Sequence, residues 1–245
     1  QWELYHPDQD TQDRQEQVLA VSMPGAWEQG EVIAVYRPVA RLADGATAGV
    51  EALLRWDHPE LGPQGHERCA DLAEQTGLIL PMGEWLLRVA SGQAVWWKNV
   101  PLVVSLTAFQ SADADLSNRV VRVLKETGLR PGQLTIGMPV GALAVAEAAD
   151  NFGVLADMGV TTMLDGFGGG ADDLALLEEL PVKSVRLAPS PFAGELAVLV
   201  HGSGATILVS GVDTEEQAAS WRSAGADLAS GDLFGAARPA GELSF

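Results

Sequence analysis

The 245-residue sequence predicts an α/β fold closed into a barrel, and three observations carry that prediction. Short β-branched runs alternate with longer amphipathic stretches, the pattern of βαβ units around a parallel sheet. Roughly seven such repeats follow one another with no linker or low-complexity segment, which favours a closed barrel over an open sheet. The first two strands are joined by a tight turn instead, so the sheet begins with a hairpin.

The elements follow in order. Residues 8–23 are polar apart from Val18, Leu19, Val21 and Met23, a surface helix that Met23-Pro24-Gly25 should break, with one further turn over 26–30. Residues 1–30 are thus expected to be a helical lead-in from an upstream domain, and 31–245 the barrel. The opening Gln1-Trp2-Glu3 carries no signal peptide and reads as a cut from a longer polypeptide. Strands are predicted at 31–39 and 48–56, turned at Asp44-Gly45, then at 102–106, 134–138, 161–164, 185–187, 206–209 and 227–229. Between them, helices are predicted at 68–75, 83–97, 115–127, 142–158, 172–180, 192–200 and 215–224; Gly77, Gly128 and Gly159 close three of them.

With 47% hydrophobic residues the chain can bury a large core, yet no run approaches the ~18 apolar residues that span a membrane. The lone Cys69 excludes an internal disulfide, suits a cytoplasmic setting and reads as a buried hydrophobe. Fifteen basic against 33 acidic residues give a net charge of −18, a field that repels nucleic acid and anionic lipid. The charge weighs against a nucleic-acid partner and decides little else.

In such a barrel, function sits where strands end and loops begin. The residues closing the predicted strands are Arg37, Glu51 with Arg55, Ser105, Gly137, Asp165 with Gly166, Arg186, Ser210 with Asp213, and Ser230. Glu51 and Arg55, four residues apart, also read as a plain ion pair at the rim.

The stretch VEALLRW at 50–56, with the HPELG that follows, resembles the motif that names the EAL-domain family of cyclic-di-GMP phosphodiesterases. The likeness continues in order through YRPV (36–39), AEQTGLILPMGEWLL (73–87), VSLTAFQ (104–110), LDGFGGG (164–170), LPVKSVRLAPS (180–190), SGVDTEEQ (210–217) and SGDLFGAARP (230–239). It implies a TIM-like (β/α)8 barrel of EAL type with one antiparallel strand. In active members it implies two divalent cations that activate a water to open the dinucleotide.

Carried over by resemblance, Glu51 and Asp165 stand where metal ligands stand, and Arg55 where a phosphate is gripped. Asp213 stands where a glutamate orders a catalytic loop. The departures are Ser105 for a ligating asparagine, Gly137 and Val140 for glutamates, and Gly166 for the second aspartate of a pair. Arg186 replaces the lysine beside the attacking water, Ser210 a glutamate, Ser230 a glutamine, and Arg37 a glutamine that meets the ligand. The segment between Ser190 and Thr206 also looks shortened, which would trim a helix associated with dimer contact.

Two dications among so few carboxylates lack both charge and oxygen donors. An arginine at 186 stays protonated and provides no general base. The expectation is a degenerate member with no catalytic residue and no cofactor, its vestigial site being Glu51, Asp165, Arg186 and Asp213. Glu51 and Asp165 would hold at most one weak Mg²⁺ or Ca²⁺. The leading function is regulation by protein contact. The alternatives are a cyclic-di-GMP receptor using Arg37, Arg55 and Arg186, whose forks suit phosphate, and a residual phosphodiesterase. The glycines at 168–170 read as a turn with Asp172 or Asp173 at the next helix start, not as a phosphate cradle. His58 reads as a loop-packing residue, and His6, His66 and His201 lack metal spacing.

Overall fold

The computed structural model describes residues 7–97 and 100–243; the first six residues of the lead-in, His6 among them, lie outside the described residues. In chain order the elements are α1 (Pro7–Glu28), β1 (Val32–Arg41), β2 (Thr47–His58), β3 (Gly62–Gln64), α2 (His66–Gln75) and α3 (Ile79–Ala94). They continue as β4 (Leu102–Ser105), α4 (Ala108–Ser111), α5 (Leu116–Thr127), β5 (Leu134–Pro139), α6 (Ala146–Asp157), β6 (Thr161–Phe167) and α7 (Ala171–Glu179). The last are β7 (Ser184–Leu187), α8 (Ala193–Gly202), β8 (Thr206–Ser210), α9 (Glu215–Ala224) and β9 (Leu228–Ser230).

The sheet runs β1-β9-β8-β7-β6-β5-β4-β2-β3, and a further β1–β2 pairing closes it into a barrel, with β3 appended to β2. Only β1 opposes its barrel neighbours: it is antiparallel to both β2 and β9. The TIM-like barrel with one reversed strand is therefore the fold. The hairpin turn is held by Asp44, whose carboxylate accepts from Arg41 Nη1 at 2.7 Å and from the Ala46 amide at 3.1 Å.

Three of the differences from expectation have a plain physical cause. Helix α1 runs through Pro24 instead of breaking there. Leu19, Met23 and Ala26 form one buried face, and burying them at ~1.5–3 kcal/mol per large side chain offsets the ~3 kcal/mol that an internal proline costs. The helix predicted at 142–158 is a short 3-10 turn over Val140–Ala144, then an extended Val145 before α6. Helix α3 begins at Ile79, with Pro81 in its first turn, where a missing N–H costs nothing.

Side chains alternate along each strand, so one interior ring repeats two residues further on. The floor ring is Val39, Gly49, Val103, Thr135, Met163, Ser184, Leu208 and Leu228, of which Val39, Val103, Met163 and Leu208 form a separate apolar cluster joined by Leu228. Two residues on, toward the mouth, each strand contributes one more: Arg37, Glu51, Ser105, Gly137, Asp165, Arg186, Ser210 and Ser230. Every strand-end position singled out from the sequence, Arg55, Gly166 and Asp213 apart, belongs to this second ring.

Candidate functional site

The mouth ring is held together by Arg186. Its Nη2 donates to Glu51 Oε1 at 2.5 Å, and its Nη1 donates to Asp165 Oδ2 and to Ser105 Oγ, each at 3.1 Å. Ser105 Oγ in turn donates to Asp165 Oδ2 at 2.8 Å. The three charged side chains are enclosed, at 14% (Arg186), 5% (Glu51) and 19% (Asp165) exposure. Burial alone would lower the Arg186 pKa, but the charges of Glu51 and Asp165 outweigh it and hold the guanidinium above its ordinary value.

Two strand facts bring the trio together. Asp165 and Arg186 are direct partners in the β6–β7 ladder, whereas Glu51 reaches Arg186 from β2 across the barrel. Asp165 is followed by Gly166, whose φ of +78° sits in a bulge where the ladder slips between Asp165 and Phe167. A left-handed residue is what such a bulge requires. At Gly137 a Cβ would lie 2.6 Å from Met163 Cε and 3.2 Å from both Asp165 Oδ2 and Ser105 Oγ. The space a longer residue would need there is filled.

Over this ring lies a cleft of about 480 Å³ lined by Arg37, Arg55, His66, Arg68 and Ser210 among others. Arg37, the cross-strand partner of Glu51, has a buried Nε with no hydrogen-bond partner. Arg68 is tied to Glu16 at 2.6 Å. His66 Nδ1 accepts from the Leu54 amide at 3.1 Å; burial, partly opposed by Glu51, lowers its pKa.

Several expectations need correction. Glu51 and Arg55 do not pair: Glu51 goes to Arg186, and Arg55 Nη2 donates to Asp57 Oδ2 at 3.1 Å. Strand alternation puts Arg55 and Asp57 side by side at the rim, while Glu51 lies deeper. Both Nη atoms of Arg186 already serve the carboxylates, while its buried Nε has no hydrogen-bond partner. Asp213 stands apart on the β8–α9 loop, where it accepts from the Asp232 amide at 2.8 Å. Among the described residues, no group of three or more His, Cys, Asp or Glu is placed to hold a metal ion.

The bland readings hold elsewhere. Asp173 Oδ2 accepts from the amides of Gly168, Gly169 and Gly170 at 2.8, 3.0 and 3.3 Å, so the glycine loop is occupied by the helix that follows it. His58 Nδ1 accepts from the Glu60 and Leu61 amides at 3.2 and 3.1 Å. Burial pushes the Cys69 thiol up to about 12. Sequence reasoning missed the Arg186 bridge to Glu51, and no local signal announces a contact between residues so distant in the chain.

Residues 20–239 match the family model described as EAL domain. An uncharacterised protein of Sinorhizobium fredii is 32% identical over 97% of this chain, which spans 31% of that protein. The bifunctional diguanylate cyclase/cyclic di-GMP phosphodiesterase MucR of Pseudomonas aeruginosa is 32% identical over 89% of this chain and 35% of its own length. The solved MucR phosphodiesterase in complex with c-di-GMP superposes with a TM-score of 0.83 at 29% identity, covering 92% of this chain and 99% of that one. With ordered motifs, a barrel reversed at one strand and a family match over nearly its whole length, the chain belongs to the EAL domain family.

Proposed function

We propose that this EAL domain is catalytically silent and serves cyclic-di-GMP signalling in the cytoplasm as a regulatory module, acting by contact with a protein partner or a neighbouring domain that α1 connects to it. The observation that supports this reading is the Arg186 guanidinium bridging Glu51 and Asp165. A two-cation phosphodiesterase centre needs several anionic oxygens free for the ions. Here the two carboxylates of the ring are engaged by a permanent cation, and serine and glycine stand at Ser105, Gly137, Ser210 and Ser230. The residues present do not fit a pair of divalent ions. Arg37 and Arg186 balance Glu51 and Asp165, two charges against two, so the ring is neutral without metal. A single weak Mg²⁺ or Ca²⁺ would compete with Arg186 for these carboxylates.

The test is incubation with cyclic-di-GMP and Mg²⁺ or Mn²⁺, followed by chromatography for the linear dinucleotide. No product above the enzyme-free blank is expected. Turnover abolished by Glu51→Ala would replace this reading with a residual phosphodiesterase. A second reading, a receptor that binds without cleaving, is favoured by one observation: the unpartnered Nε of Arg37 in a cleft lined by arginines. Calorimetric titration of cyclic-di-GMP separates the two, since a pure contact module gives no heat of binding.

A further inference from the structure

The ring geometry goes one step beyond silence, and this step rests on the reading that the metal pair is lost. We infer that Arg186 is the resident cation of this barrel: it supplies, in covalently attached form, the positive charge that Glu51 and Asp165 need, and the ring is packed around it as one unit. Three observations meet here. Both carboxylates point at the same guanidinium from strands on different sides of the barrel, at 2.5 and 3.1 Å. Ser105 closes the arrangement by donating to Asp165 and accepting from Arg186. Met163 Cε lies where a side chain at Gly137 would begin, so the volume around the network is also taken.

A merely structural arginine could be replaced by an apolar residue of similar length with a uniform, metal-blind loss. A counter-cation behaves differently, because deleting it leaves two buried like charges that a divalent ion or removal of one carboxylate can relieve. The measurement is thermal unfolding of the full chain in EDTA and in millimolar MnCl₂, for wild type, Arg186→Met, Arg186→Lys and the double variant Glu51→Gln/Arg186→Met.

Wild type and Arg186→Lys are expected to melt at the same temperature with and without Mn²⁺. Arg186→Met is expected to melt lower in EDTA and to recover part of the loss either in Mn²⁺ or through the added Glu51→Gln. If Arg186→Met does not fold alone, the double variant still decides: a folded double supports the inference, and an unfolded one overturns it. An Arg186→Met protein as stable as wild type in EDTA overturns it, as does a loss that neither Mn²⁺ nor Glu51→Gln recovers. Hydrolysis by the wild-type protein is a separate readout and would overturn the silent reading instead.

Discussion

The floor and the mouth of this barrel are built on the same strands two residues apart, yet they are held by opposite physics. The floor ring closes on apolar contact among Val39, Val103, Met163 and Leu208. The mouth ring closes on directed, charged contacts of Arg186 with Glu51, Asp165 and Ser105. Apolar packing tolerates a change by partial collapse, whereas a buried charge left without its partner has no such recourse. The mouth should therefore be the more brittle of the two when a single residue is removed.

The largest effect is predicted there. Arg186→Met should lose about 3–5 kcal/mol in urea unfolding, the range seen when one partner of a buried ion pair is deleted. A loss under about 1 kcal/mol would mean that water already screens the ring and that the contrast with the floor is false.

Next comes the seam between the rings, where Gly137 in the mouth faces Met163 in the floor. Gly137→Ala should cost about 1–3 kcal/mol by overpacking against Met163. In a Met163→Ala background, itself destabilised by about 2–5 kcal/mol, the same change should cost clearly less, leaving only the 3.2 Å approaches to Asp165 and Ser105. A double-mutant cycle reads this coupling, and additive losses would show that the two rings are independent.

The rings themselves were legible in the sequence to an unusual extent. With the strands at 48–56, 102–106, 134–138 and 185–187 placed, and those at 161–164 and 206–209 extended by one residue, a period of two puts Glu51, Ser105, Gly137, Asp165, Arg186 and Ser210 on one side. What the period does not reveal is which ring members meet. Asp165 and Arg186 are neighbours in adjacent parallel strands, so their contact follows from register. Glu51 meets Arg186 only because the barrel closes, a consequence of the whole topology. Helix α1 was misread for the same kind of reason: Pro24 is a local stop signal, overruled by burial of Leu19, Met23 and Ala26 against elements distant in sequence.

A shallower effect is predicted in pH. The folded-state pKa of His66 is depressed, burial being the main cause; Glu51 and Glu67 oppose it, and Arg186 and Arg37 add to it. A base whose pKa falls on folding stabilises the protein while neutral, so this contribution is present above the unfolded value of 6.5 and is lost as pH drops below it. The urea midpoint should fall between about pH 7 and about pH 5.5, before most carboxylates titrate. His66→Gln should flatten that slope; an unchanged slope would assign it to other groups.

The smallest predicted effect probes the mouth's mirror image. In the glycine loop the signs are reversed: three amides of Gly168, Gly169 and Gly170 converge on the Asp173 carboxylate, at the exposed end of α7. Solvent can replace that acceptor, which it cannot do for Arg186, so Asp173→Ala should cost only about 1 kcal/mol, typical of a lost helix cap. Asp173→Asn, which keeps an acceptor oxygen without the charge, should recover most of it. A loss at Asp173 as large as that at Arg186 would show that burial is not what separates the two charged groups, and the difference between floor and mouth would then need another cause.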